Sequence, residues 1–239
     1  MEQLQNQTVR LATWNIRKCV GLDRRRDPHR VARTIAELEA DVVVLQEADK
    51  RLGSRPAALT RDIVETETDM LPADAGGHEA SIGFHGNAVL LAPGLGVKTR
   101  HSVHLPGVEP RGALILDIEG KISMRVVAVH LGLMRSSRRA QLATIRERLT
   151  ALPDRPTVVL GDFNEWSERR GLEPLTGFDV HAPGRSFHAA RPIAALDRIA
   201  INDTFELRDA AVVENARTRV ASDHLPVWAD LQTTTSISS

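Results

Sequence analysis

Short apolar runs alternate along the chain with the polar residues that end them. Val9 to Trp14 alternates loosely and predicts a strand. Asp41 to Gln46 is a continuous apolar run and Thr157 to Leu160 another, the pattern of strands buried on both faces. Asn87 to Leu91, Ala113 to Ile118, Arg125 to Val129, Ile199 to Ile201 and Val227 to Leu231 complete the predicted strands. Glu119-Gly120-Lys121 supplies a hairpin turn between two of them. Val31, Ile35 and Leu38 keep helical spacing through Ala40, behind Asp27 as N-cap and Pro28 at the first helical position. Ser137 to Leu149 predicts a second helix, ended by Pro153 and Pro156. Between Arg51 and Gly86 the pattern is weakest, with a helix expected near Ala57 to Glu65 and a loop around Gly76-Gly77. Strands outnumber helices, and hairpins mix with crossover units. The expectation is two packed sheets with helices outside, an α/β (α+β) layered fold.

The strand ends carry the chemistry. Asn15 follows Trp14, Glu47 follows Leu45-Gln46, and His130 ends the run Val127-Ala128-Val129. Asp162 and Asn164 follow Leu160-Gly161, Asp197 precedes Arg198-Ile199, and Asp223-His224 precedes Leu225-Pro226-Val227. Six such points describe a site built on a rigid scaffold. Each has a plain alternative: Asn15 closes a turn, Glu47 ends a buried strand, Asp162 and Asn164 form an Asx turn, His130 is a satisfied strand-end residue. Alternation sends Asp162 and Asn164 to one side, where one can take a proton from water while the other holds that water or a phosphoryl oxygen. His224 needs a carboxylate to fix its tautomer or its charge, and Asp197 is the candidate; the pair is catalytic or structural. No serine or cysteine has a nucleophile-elbow setting and no glycine-rich phosphate loop is present. Hard oxygen ligands, two histidines and positive charge suit metal-assisted hydrolysis of a phosphoester by water, with Mg²⁺ or Mn²⁺ favoured over zinc.

Composition narrows the picture only a little. The chain has 239 residues, enough for one good-sized domain, and the whole length is expected to be that domain. Lys plus Arg number 31 and Asp plus Glu 31, so global charge points to no polyanionic partner. The distribution is less even. Arg17, Lys18 and Arg24, Arg25 and Arg26 cluster early, and Arg135, Arg138 and Arg139 follow His130; such clusters contact phosphates or are solvated surface. One cysteine, Cys19, excludes an intrachain disulfide and a zinc-thiolate cage. No signal peptide or membrane-length apolar run is visible, so a cytoplasmic monomer is expected. The polar tail from Thr233 is expected to fray.

The order of TWNIR, LQE, GNAVL, VAVHLGL, GDFN, LDRI and SDHLPV, from Leu11 to Leu231, resembles the endonuclease/exonuclease/phosphatase superfamily of DNase I-like enzymes. The resemblance implies a four-layer α/β sandwich with the site where two sheets open. It implies Glu47 as main metal ligand with Asn15 beside it and Asp223 completing the carboxylates. It implies Asp162 as the residue that activates water, Asn164 as its helper, and His224 supported by Asp197 as the stabiliser of phosphoryl charge. His130 matches a histidine of DNase I-like and sphingomyelinase-like members, where abasic-site endonucleases usually carry tyrosine. This chain has no tyrosine and lacks their long DNA-gripping insertions, which points away from abasic-site repair. A carboxylate partner for His130 is not evident, Glu79 being one candidate. Arg17, Asn87, Arg111 and Arg191 are expected to contact substrate. DNA is the leading substrate, so a nuclease is expected; a phospholipid or small phosphoester is the alternative. A silent binding module would have lost Glu47, Asp162 or His224, and all are present.

Overall fold

In α1, Pro28–Ala36, Asp27 turns its carboxylate back to accept the Arg30 backbone N–H while Pro28 presets the first helical φ. This computed structural model describes residues 7–49, 56–74, 81–167 and 170–234. The other helices are α2 (Arg61–Glu67), α3 (Arg135–Thr150) and the short α4 (Thr218–Ala221). The strands are β1 (Thr8–Asn15), β2 (Val42–Gln46), β3 (Leu71–Pro72), β4 (Gly83–Phe84), β5 (Asn87–Leu91), β6 (Gly96–Leu105) and β7 (Arg111–Glu119). They continue with β8 (Met124–His130), β9 (Thr157–Asp162), β10 (Phe178–His181), β11 (Asp197–Asn202), β12 (Phe205–Val212) and β13 (Val227–Thr233).

Two sheets hold them. One runs β12-β13-β1-β2-β5-β3 with β4 also on β5; the other runs β10-β11-β9-β8-β7-β6. Their facing sides meet through Leu11, Val42 and Val44 from the first and Leu116, Val126 and Leu160 from the second. The outer face of the first sheet, with Trp14 and Leu45, packs on Val31 and Ile35 of α1 and Val64 of α2. The outer face of the second, with Val127 and Val159, packs on Leu142 and Ile145 of α3. The result is the expected four-layer α/β sandwich. Central strands are covered on both sides, which is why every residue of β2 is buried and no alternation shows. No helix among the described residues is long and apolar enough to cross a membrane.

Several boundaries differ from expectation. α1 ends at Ala36 rather than Ala40, although Leu38 is buried just beyond it. α2 begins at Arg61 rather than Ala57. Thr233, expected in the frayed tail, closes β13. β3, β4, β6, β10 and β12 were not expected; β3, β6, β10 and β12 end the two strand orders, and β4 pairs only with β5. An edge strand is half solvated, so its sequence loses the apolar signature: β6 reads GVKTRHSVHL and is mostly exposed or half-buried. The Gly76-Gly77 loop and Glu79 lie outside the described residues.

One glycine sits where β8 and β9 end side by side. β8 and β9 pair in parallel with Val129 beside Gly161 and His130 beside Asp162. Gly161 has φ +148°, and a Cβ there would lie 1.9 Å from the Val129 carbonyl oxygen. The close approach sets Asp162 against His130. Gly161→Ala should therefore cost at least about 3 kcal/mol in denaturant unfolding, because both the backbone strain and the clash are unavoidable. A loss below about 1 kcal/mol would show that the strands can part without penalty.

Candidate active site

Strand register gathers the polar ends. Asn15 lies beside Gln46, the residue before Glu47, on the parallel pair β1–β2. Across the sandwich, Asp162 on β9 has His130 on one side and Asp197 of β11 on the other. Asp162 is buried, and its Oδ2 accepts the Asn15 amide N–H at 3.1 Å, a bond that crosses from one sheet to the other. The same oxygen lies 3.4 Å from His130 Nε2 and 3.6 Å from His224 Nε2. Its other oxygen accepts the Asn164 backbone N–H at 2.9 Å. Asn164 does stand beside Asp162, but alternation is not the cause. β9 ends at Asp162, and Asn164 takes a left-handed φ of 51° with its amide donating to the Leu131 carbonyl at 2.9 Å.

His224 bridges the two carboxylates. Its Nδ1 donates to Asp197 Oδ2 at 2.8 Å, which leaves Nε2 toward Asp162. Ser186 donates its hydroxyl to the same Asp197 oxygen at 2.5 Å. Asp197 Oδ1 is buried with no hydrogen-bond partner among the described residues. Burial alone would lower the imidazole pKa; the charges of Asp197 and Asp162, the Asp197 hydrogen bond and Asp223 outweigh it and push His224 up to about 10 from an ordinary 6.5. The His224 backbone is held by Trp14, whose indole N–H donates to the His224 carbonyl at 2.8 Å, and the ring lies against Phe187 at 5.0 Å between centroids. Ser186 was not singled out by sequence reading, because nothing local ties a serine to an aspartate eleven residues on.

The residues expected to hold a metal meet a basic turn. Arg17, Lys18 and Cys19 all take left-handed backbone angles directly after Asn15-Ile16. The turn sets the Lys18 ammonium on the Glu47 carboxylate, the Arg17 backbone N–H on Asn15 Oδ1 at 3.1 Å, and Arg17 Nε 3.6 Å from Asp223 Oδ2. Lys18 and Arg17 thus contact Glu47, Asn15 and Asp223 from one turn. Carboxylate and amide oxygens are the donors that a divalent ion of the magnesium type takes. Among the described residues, the three-membered His and acid group close enough to share an ion is Asp162, Asp197 and His224. Asp197 and His224 are already bonded to each other, so that group is first a hydrogen-bond relay.

The expected substrate residues are placed differently. A cavity of about 220 Å³ is lined by Lys18, Glu47, Asp49, His85, Arg111 and His130. Arg17 lies against Asp223, as described, and Arg191 is exposed on the loop that carries Phe187. Asn87 is fully buried and donates to the Gly112 carbonyl at 2.8 Å. Asp49, not singled out by sequence reading, is buried and accepts from Ser81 at 2.7 Å and the Gly86 N–H at 3.2 Å. The arginines after His130 are largely structural. Arg138 is buried and donates to Glu165 at 2.7 Å, Arg135 joins it at 3.1 Å, and Arg139 pairs with exposed Glu173 at 3.6 Å. Burial would raise the Glu165 pKa, but the Arg135 and Arg138 hydrogen bonds and the Ser167 N–H hold it at about 2.

Comparison with known proteins places the fold and the sequence among relatives. Uncharacterized protein YbhP of Escherichia coli K12 is 36% identical over 163 residues, 62% of this chain and 63% of that protein. The chain therefore spans just under two thirds of the length of the curated relatives it matches. D. rerio TDP2 in complex with single-strand DNA product superimposes with a TM-score of 0.72 at 16% identity, over 95% of this chain and 100% of that one. A Bacteroides thetaiotaomicron mannosyl-6-phosphatase does so with a TM-score of 0.72 at 15% identity, over 93% and 99%. These structures share the fold. The sequence signature itself extends over residues 12–224, which takes in every group just described from Asn15 to His224, and on that match the chain belongs to the Endonuclease/Exonuclease/phosphatase family.

Proposed function

We propose that this chain is a metal-dependent phosphodiesterase that cleaves its substrate with water. The observation that carries the reading is Asp162, a buried carboxylate facing two imidazoles and an amide. Asp162 takes the proton of the attacking water at its carboxylate, and Asn15 keeps that carboxylate aimed. His224, charged and braced by Asp197 and Ser186, stabilises negative charge developing on the phosphoryl oxygens. His130 sets a second imidazole beside the same carboxylate. Glu47, with Asn15 and Asp223, would hold a magnesium or manganese ion, which supplies Lewis-acid polarisation of the phosphoryl group when bound.

Likeness of fold does not choose the substrate, since a DNA-bound protein and a sugar phosphatase superimpose equally well. The surroundings of the site bear on it. The exposed run Arg24–Arg26 is tied to the site by Arg26, which donates to the Lys18 carbonyl at 2.8 Å. That run supports DNA, the leading expectation, and equally any anionic phosphodiester. The phospholipid alternative is favoured by a second observation, exposed apolar side chains on the loops that follow His130 and Asp162.

Hydrolysis of bis-p-nitrophenyl phosphate should vanish in EDTA and return with Mg²⁺ or Mn²⁺, and full activity in metal-stripped protein would sink the metal assignment. Asp162→Asn and His224→Ala should each lower kcat by at least about two orders of magnitude with a much smaller change in KM. Asp197→Asn should cost less than His224→Ala and almost nothing further in its background, because the two act as a unit; fully additive losses would refute the pairing. The raised pKa has a signed consequence for stability. A group whose folded pKa exceeds its unfolded one stabilises the fold fully below the unfolded value, near 6.5, and loses that contribution as pH rises through about 10. Thermal melts of the metal-free protein should therefore fall between about pH 7 and 10 more steeply than those of His224→Gln; parallel curves would contradict a charged His224.

A further inference from the structure

Six large hydrophobic side chains stand exposed among the described residues: Leu71, Val108, Leu133, Met134, Trp166 and Ile193. Scattered singly, they would mean nothing. All but Leu71 lie on loops at the catalytic edge. Leu133 and Met134 follow His130, Trp166 follows Asp162 by four residues, and Ile193 precedes Asp197 by four. Val108 adjoins Glu109, which accepts the Leu133 N–H at 3.4 Å.

Contacts join these loops into one band. Arg138 donates to the Leu133 carbonyl at 2.6 Å and to Glu165, the residue before Trp166, at 2.7 Å. The Trp166 ring lies edge-on to Phe187 at 6.2 Å, and Phe187 exchanges backbone hydrogen bonds with Ile193 and Ala194. Each loop is thereby pinned to the scaffold that carries the chemistry. The rim is a fixed surface with exposed apolar side chains, which water alone does not favour.

We propose that this rim docks on an anionic lipid surface, so that the cleft receives a phosphodiester still anchored in its bilayer. The proposal rests on the phosphodiesterase reading and names its substrate class. Four of the five side chains are aliphatic and offer no ring face to a nucleobase, whereas they fit the boundary between headgroups and acyl chains. The fifth is tryptophan, which favours that boundary. Positive charge complements an anionic surface: Arg191 is exposed two residues before Ile193, on the same loop. The rim thus joins apolar side chains to an exposed guanidinium, and a phospholipid is the phosphodiester that uses both.

Tryptophan emission tests this directly. Trp14 is buried and Trp228 lies under the Arg10 guanidinium at 4.2 Å, so Trp166 is the exposed reporter. Vesicles of equal parts phosphatidylcholine and phosphatidylglycerol should blue-shift the emission, and Trp166→Phe should abolish that shift. Co-sedimentation with the vesicles should weaken at least about tenfold in Met134→Ser/Ile193→Ser and with added salt. The double variant should still hydrolyse bis-p-nitrophenyl phosphate within about twofold, which also reports that it folds. Quenching by a single-stranded oligonucleotide with no vesicle response would overturn the proposal and give the rim to nucleobases. No response to either, with the soluble substrate still cleaved, would overturn it and leave the phosphodiesterase reading standing. Loss of hydrolysis in the unaltered protein would instead strike that reading.

Discussion

Two carboxylates stand opposite each other on neighbouring strands, Asp162 on β9 and Asp197 on β11, and neither reaches water appreciably. Like charges in that register repel, and each alone is costly to bury. The arrangement is tolerable because the His224 imidazolium lies between them, bonded to one and 3.6 Å from the other. Much else follows from that cation. Ser186 fixes its partner Asp197, Trp14 holds the His224 backbone, and Asn15 satisfies the Asp162 oxygen that the ring faces. The groups that make the fold endure buried charge are the ones to which the proposed hydrolysis gives roles.

The same balance is repeated at either flank of the site. On one side Glu165 is buried among Arg135 and Arg138, which fixes the chain directly after Asn164. On the other, Lys18 covers Glu47. Both are anions held at strand ends by cations from a neighbouring loop. They differ in exposure. Arg138 is buried with its partner, whereas Lys18 and Glu47 border a cavity.

The strands at the centre of each sheet were legible in the sequence because burial on both faces leaves an uninterrupted apolar run. The strands with a single partner, β3, β4, β6, β10 and β12, were not, since an unpaired flank removes that signature. Asn15, Glu47, His130, Asp162 and Asp197 could be found because each ends or opens a run that burial made visible. Ser186, Asp49 and Glu165 could not. Their partners are distant in sequence or lie across a loop, and a hydrogen bond of that kind leaves no periodic trace. Asn164 was found for a reason that the backbone does not support, its place being set by a left-handed turn rather than by the pleat.

β1 pairs with β2 on one side and with β13 on the other. Asn15 ends β1, and His224 lies three residues before β13 begins. The two segments are far apart along the chain, and the insertion of β13 beside β1 is what brings them to the same carboxylate. Closing that pair is a long-range event that contacts local to either segment cannot replace, so the geometry around Asp162 depends on a strand that contributes no side chain to it.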